Sequence, residues 1–156
     1  MRKHIIAGIV ALAAFSGIGH AAENFDAWTV EKADGRCTAF TTTTSVEGAA
    51  REGSYLSIVN VPGEGVKNSV AFGYGKSGAG KAHASADIDA ESFELLTFDT
   101  AAFAASGAPE AQLISAMKKG GEASVTWTEA DGTILKDKYS LKGFSAAKSK
   151  IDADCR

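Results

Sequence analysis

The residues of this chain whose types and spacing bear on chemistry are few. Three histidines are present, and two of them, His4 and His20, fall in a leader-like segment. Any Ser-His-Asp or Cys-His arrangement must therefore use His83. His83 stands on the polar side of an alternating stretch, with Lys81, Ser85 and Asp87 opposite Ala82, Ala84, Ala86 and Ile88, so it reads as an exposed strand histidine. Asp87, four residues along, lies about 13 Å away in an extended chain, too far to share a metal with it. Gly75 to Ala82 imitates a phosphate-binding loop, with Gly80-Lys81 in place, but Ala82 occupies the position of the magnesium-binding hydroxyl. Strand alternation follows where a helix is required. Gly73-Tyr74-Gly75-Lys76-Ser77-Gly78 matches G-x-G-x-x-G with no βαβ unit around it. Both stretches read as one glycine-rich hairpin loop, and neither a cofactor nor a metal is expected. Nineteen acidic residues leave one enzymatic alternative open. This is an envelope hydrolase or carbohydrate-active enzyme working with paired carboxylates, although the sequence singles out no pair.

The two cysteines, Cys37 and Cys155, take their meaning from the first twenty-one residues. Arg2-Lys3 form a positive start, Ile5 to Phe15 an apolar run, and Gly19-His20-Ala21 a small-residue cleavage pattern. This is the plan of a signal peptide over residues 1–21, followed by a single domain over 22–156 in a periplasmic or secreted protein. The apolar run is too short to span a bilayer and no second run follows, so no transmembrane segment is expected after cleavage. No cysteine follows the cleavage point, which argues against a lipoprotein anchor. In an oxidising compartment two cysteines have one intramolecular pairing available, so a Cys37–Cys155 disulfide is expected. Closing nearly the whole domain, such a bond is credited with about 4 to 5 kcal/mol in the chain-entropy account.

Loss of Arg2 and Lys3, with no acid among the first twenty-one residues, moves the formal charge from −3 to −5. The remaining lysines are scattered among acids, and nucleic acid and anionic membrane surfaces both need a basic patch. Neither is expected as a partner.

The elements that must position these residues are mostly short strands. Asp34-Gly35 lies between Trp28 to Lys32 and Arg36 to Thr44, and Asp131-Gly132 between Ala123 to Thr128 and Ile134 to Ser140. Both read as hairpins. Thr41 to Thr44 suit an edge or solvent-facing strand. Further strands are expected at Tyr55 to Val61, Ser69 to Tyr74, Ala82 to Ile88 and Phe93 to Phe98. A helix opens near Pro109, carries Leu113, Ile114 and Met117 on one face, and stops at Gly120. Phe144, Ala147, Ile151 and Cys155 recur at three- and four-residue steps, which places Cys155 on the inward face of a short closing helix. The fold class predicted is all-β, an antiparallel β-sandwich or barrel of about eight strands with one inserted helix and a short C-terminal helix. Trp28, Trp127, Phe93, Phe98 and Phe144 read as core. Phe103, in the alanine-rich connection before the helix, is the aromatic expected to be exposed if one is.

One resemblance adds to this. Ser92-Phe93-Glu94-Leu95, Ala116-Met117-Lys118-Lys119-Gly120, the segment Tyr139-Ser140-Leu141-Lys142-Gly143-Phe144-Ser145-Ala146-Ala147 and the terminal cysteine together resemble the invasion associated locus B family. The similarity begins near Trp28 and Cys37 and runs over most of the mature chain, and Ser-Leu-Lys-Gly-Phe is its most distinctive part. The resemblance implies an exported, all-β, envelope-associated protein of alphaproteobacteria, in a family named for a member linked to entry into host red cells. It implies surface interaction with an unidentified envelope or host-surface protein and supplies no catalytic residues. Better-known members carry further cysteines that are absent here, so their full disulfide pattern does not transfer.

Overall fold

A computed structural model of the chain describes residues 21–48, 52–75 and 81–156. The expected signal peptide, apart from its last residue, and most of the glycine-rich loop lie outside the described residues.

Strands β1 (Glu23–Phe25), β2 (Trp28–Ala33), β3 (Arg36–Thr42), β4 (Ser45–Glu47), β5 (Tyr55–Val61) and β6 (Val66–Gly73) come first in the chain. They are followed by β7 (Lys81–Ile88), β8 (Glu91–Phe98), β9 (Ala101–Phe103), helix α1 (Ala108–Lys119), β10 (Glu122–Glu129), β11 (Ile134–Ser140) and helix α2 (Phe144–Asp154). All pairings are antiparallel and form one sheet of eleven strands in the order β1-β2-β3-β5-β6-β9-β8-β7-β10-β11-β4. The sandwich or barrel expectation is therefore corrected to one open sheet. β8 pairs with β7 through Glu91–Leu95 and with β9 through Leu96–Phe98, which makes the two halves continuous. The sheet does not close, because β1 and β4 each pair with a single neighbour at opposite ends. The eight expected strands are all present, and the three added ones, β1, β4 and β9, are each three residues long.

Tight turns set this register. Phe25 pairs with Trp28, Ala33 with Arg36, Ile88 with Glu91 and Phe98 with Ala101, leaving two-residue loops that begin with Asp26, Asp34, Asp89 and Asp99. Each of these aspartates has φ between 49° and 52°, the left-handed region that a short polar side chain tolerates. The second Asp-Gly pair makes a longer tip, in which Gly132 N–H donates to Glu129 O and Asp131 Oδ1 accepts from Thr133 N–H.

Strand alternation sends Cys37, Ala39 and Thr41 of β3, Ala84, Ala86 and Ile88 of β7, and Ala123, Val125 and Trp127 of β10 to one side. The threonine run starts at the end of an interior strand, which corrects the edge half of the expectation, while Thr42 and Thr44 do face solvent. Thr41 is buried, with its hydroxyl donating to Ala27 O at 2.7 Å. The inward faces of the two sheet halves share one core, where Phe72 meets Tyr139 at 6.2 Å and Tyr74 meets Trp127 at 5.1 Å between ring centroids. Leu113, Ile114, Ala116 and Met117 of α1 and Phe144, Ala147 and Ile151 of α2 complete it.

Candidate functional site

The closing segment is fastened to the sheet by a covalent bond and by a close chain crossing. Cys155, just past α2, is bonded to Cys37 of β3 with 5.9 Å between the Cα atoms. Helix periodicity places Phe144, Ala147, Lys148 and Ile151 against the sheet and delivers Cys155 to it. The turn before α2 is held by the β1–β2 corner. The Trp28 indole N–H donates to Ser140 O at 3.1 Å, Ala27 N–H donates to Lys142 O at 3.2 Å, and the Trp28 and Phe144 rings lie 5.0 Å apart. Gly143 has φ +91°, and a Cβ there would stand 1.9 Å from Phe25 O. The distinctive Ser-Leu-Lys-Gly-Phe string is thus a chain crossing that only glycine permits.

Beneath α2, Lys148 is almost fully buried and its ammonium lies 2.5 Å from Asp152 Oδ2. Asn60 Nδ2 donates to Asp152 at 2.9 Å, and Asn60 Oδ1 accepts from Asn68 N–H at 2.7 Å. Burial pushes the Asp152 carboxyl up, but the hydrogen bonds from Lys148 and Asn60, with the Lys148 charge, outweigh it and hold the group below the ordinary carboxylate range. A fully buried carboxylate, Asp137, accepts from the Trp127 indole N–H at 2.9 Å. These groups satisfy the interior and serve structure.

The residues tested for chemistry remain apart. His83 is exposed on β7, as its alternation indicates, and its ring contacts Glu94 Oε2 of β8 at 2.5 Å on the outer surface. No group of three or more His, Cys, Asp or Glu side chains among the described residues is placed to hold a metal ion. The phosphate-loop reading fails where it can be seen, because Lys81 opens a strand. A crevice of about 500 Å³ lined by Pro62, Gly65, Val66, Lys67, Asp152, Cys155 and Arg156 contains a single acidic side chain. A groove of about 680 Å³ between β6 and β8 contains only Glu110. Neither offers the carboxylate pair that glycoside hydrolysis needs.

What the sheet does assemble is an apolar outer face. Register aligns Phe40, Ser57, Ala71, Phe103 and Leu96 in one row across β3, β5, β6, β9 and β8. The next row aligns Tyr55, Gly73, Ala101 and Phe98. The Tyr55 ring covers Gly73, where a Cβ would meet it at 2.2 Å. Leu96 and Phe98 end the two rows with 62% and 77% of their surface exposed. Phe98 is therefore exposed, as Tyr55 is to a lesser degree, and Phe103 is half-covered within its row, which reverses the sequence expectation for both phenylalanines. Trp28 and Trp127 are fully buried core residues.

No helix among the described residues is long and apolar enough to cross a membrane. Fold and site together define a small β-sheet protein pinned by one disulfide between its early and last elements, with an apolar patch on the outer sheet face. The chain belongs to the invasion associated locus B (IalB) protein family, whose pattern matches residues 27–152, from the β1–β2 corner to the last turns of α2. No curated protein and no solved structure matches it.

Proposed function

We propose that this protein is exported, loses residues 1–21, and acts in the periplasm, at the envelope or at a host surface as a non-enzymatic binding protein. Family membership and the single disulfide support export, since such bonds persist in oxidising compartments. The observation that carries the binding role is the pair of exposed side chains, Leu96 and Phe98, at the end of two in-register apolar rows. Two large apolar groups side by side on a rigid sheet, beside a groove, mark a protein contact surface. The partner in this reading is a protein, because the rim carries both signs, with Lys67 and Glu110 lining the groove and Arg36 and Glu64 the neighbouring crevice, and offers no basic patch for polyanions.

A photo-crosslinking phenylalanine analogue at position 98, activated in intact cells, tests the reading. A discrete adduct is expected there, lost with Leu96→Glu in the same chain, and absent when the analogue stands at exposed Glu31. No adduct at 98 above the level at 31 defeats the reading. N-terminal sequencing of the periplasmic protein checks export, with Ala22 the expected first residue.

A further inference from the structure

We infer that the apolar outer face binds a second copy of this chain, forming a two-fold dimer through β3, β5, β6, β9 and β8. This rests on the binding role proposed above and names its partner. The face carries a projection and a recess on opposite flanks of one central strand. β6 lies in the middle, with β5 and β3 to one side and β9 and β8 to the other. On β8, Leu96 and Phe98 stand out with most of their surface exposed. On β3 and β5 the same face holds a recess of about 420 Å³ whose lining includes Arg36, Phe40, Thr42, Tyr55 and Ser57.

Register fixes how the two are related. Phe40 and Leu96 end one row, and Thr42 and Phe98 end the next. Each of the four lies two strand spacings from β6, about 9.6 Å. A two-fold axis lying in the face along β6 therefore turns the projection of each copy onto the recess of the other. Leu96 meets Phe40 of the second copy, Phe98 meets Thr42 and Phe103 meets Ser57. The Tyr55 ring, which lies over Gly73, meets its own counterpart near the axis. Two packed sheets twist by about 30°, which slides Leu96 about 5 Å along the recess, less than the step between residues on one face. Contacts that are reciprocal in this way define an isologous dimer. A helix or an unrelated segment could fill the recess or cover the projection, whereas a second copy does both.

Charge follows the same symmetry. Arg36 Nε lies 3.4 Å from Thr38 Oγ1, so the guanidinium stands beside Thr38. Glu94, two residues before Leu96, is exposed on the same face of β8. The axis that seats the apolar groups sets Thr38 opposite Glu94 of the second copy. Arg36 thereby gains a carboxylate that its own chain holds four strand spacings away, about 19 Å. Five strands span about 24 Å and the three rows about 20 Å, so the two copies together cover about 1,000 Å² in projection. That is the lower end for a specific contact and suits a Kd of about 10 to 100 µM.

The test is sedimentation equilibrium of the disulfide-intact mature protein from about 1 µM to about 1 mM. A monomer–dimer equilibrium is expected, with Leu96→Glu monomeric throughout. Arg36→Glu alone and Glu94→Arg alone should each raise Kd several-fold. Mixing these two variants should return it toward the parent value, because the mixed dimer pairs opposite charges at both ends. Both side chains are exposed, so the melting temperature of dilute protein should stay unchanged in either variant. A monomer at about 1 mM overturns the inference, as does a dimer that Leu96→Glu leaves intact or one that mixing the charge variants fails to restore. The in-cell adduct at position 98 separates this inference from the binding role. A product of twice the chain's mass supports both. An adduct to a different polypeptide overturns the second copy as occupant and leaves the binding role standing, and no adduct defeats that role.

Discussion

Replacing Gly143 by alanine should be among the most damaging single-methyl changes this fold can suffer. Two costs combine. The backbone at φ +91° is in the region where an L side chain is strained, worth about 1 to 2 kcal/mol. The new Cβ also falls 1.9 Å from Phe25 O, a main-chain atom that no rotamer change can move aside. Relief requires the β1–β2 corner to shift away from the closing segment, and that corner holds the bonds from Ala27 N–H to Lys142 O and from the Trp28 indole to Ser140 O. At about 1 kcal/mol for each bond, the total reaches about 3 to 4 kcal/mol, against a total stability of about 5 to 15 kcal/mol for a domain. The melting temperature should drop by about 10 to 15 °C. Urea denaturation followed by tryptophan fluorescence measures the loss, with the disulfide intact throughout. Gly35→Ala is the matched control, because Gly35 has φ +76° but open space around its Cβ position. It incurs the backbone cost alone, about 1 to 2 kcal/mol. Equal losses for the two variants would show that the Phe25 contact carries no energy and would refute the reasoning.

Three further outcomes are expected. Cys155→Ser should lower stability by about 2 to 5 kcal/mol and loosen α2, read by thermal melts and by amide exchange in the last turn of the helix, and a non-reducing peptide map of the parent protein should show no free thiol. Trp127→Phe keeps the ring in the core but removes the donor to buried Asp137, for a loss of about 1.5 to 3 kcal/mol in urea titrations. Because the folded state holds Asp152 below the ordinary carboxylate range, its contribution is complete above the unfolded value near 4 and disappears as pH falls through the folded value. Asp152→Asn should accordingly flatten part of the stability loss below about pH 4, measured as the urea midpoint against pH.

Much of the architecture is legible in the chain because its physical causes are local. Alternation in β7, β10 and β11 places the inward residues, and Pro109, Leu113, Met117 and Gly120 define α1. Phe144, Ala147 and Ile151 point α2 at the sheet and bring Cys155 to Cys37. Two of the three missed strands, β1 and β9, have a common origin. Asp26-Ala27, Asp89-Ala90 and Asp99-Thr100 turn the chain as Asp34-Gly35 does, but without glycine they carry little signal, and β1 and β9 are invisible without their turns. The continuity of the sheet is a long-range property of β8, whose two ends pair with different strands, and no periodicity within β8 encodes it. The apolar outer face left one trace. Leu95 and Leu96 are adjacent in a strand, so one of them must face outward, and that parity puts Phe98 outward as well. The groove beside β9 left none, since it arises from where β9 stops.

The closing segment also sets the order in which the molecule can be made. Synthesis delivers Trp28 and Cys37 early, yet the acceptor of the Trp28 indole is 112 residues away in sequence and the partner of Cys37 is 118 away. The first bond cannot form on a growing chain until Ser140 has emerged, nor the second until Cys155 has, so the first strands wait for the closing segment, and completion is governed by the slow closure of very long loops. With one early thiol and one late one there is no wrong intramolecular partner to choose, and the oxidation step cannot trap a misfolded isomer. In the export proposed above, a polypeptide that stays unfolded until Cys155 is available also stays threadable, which is the state a narrow translocation channel demands of its cargo.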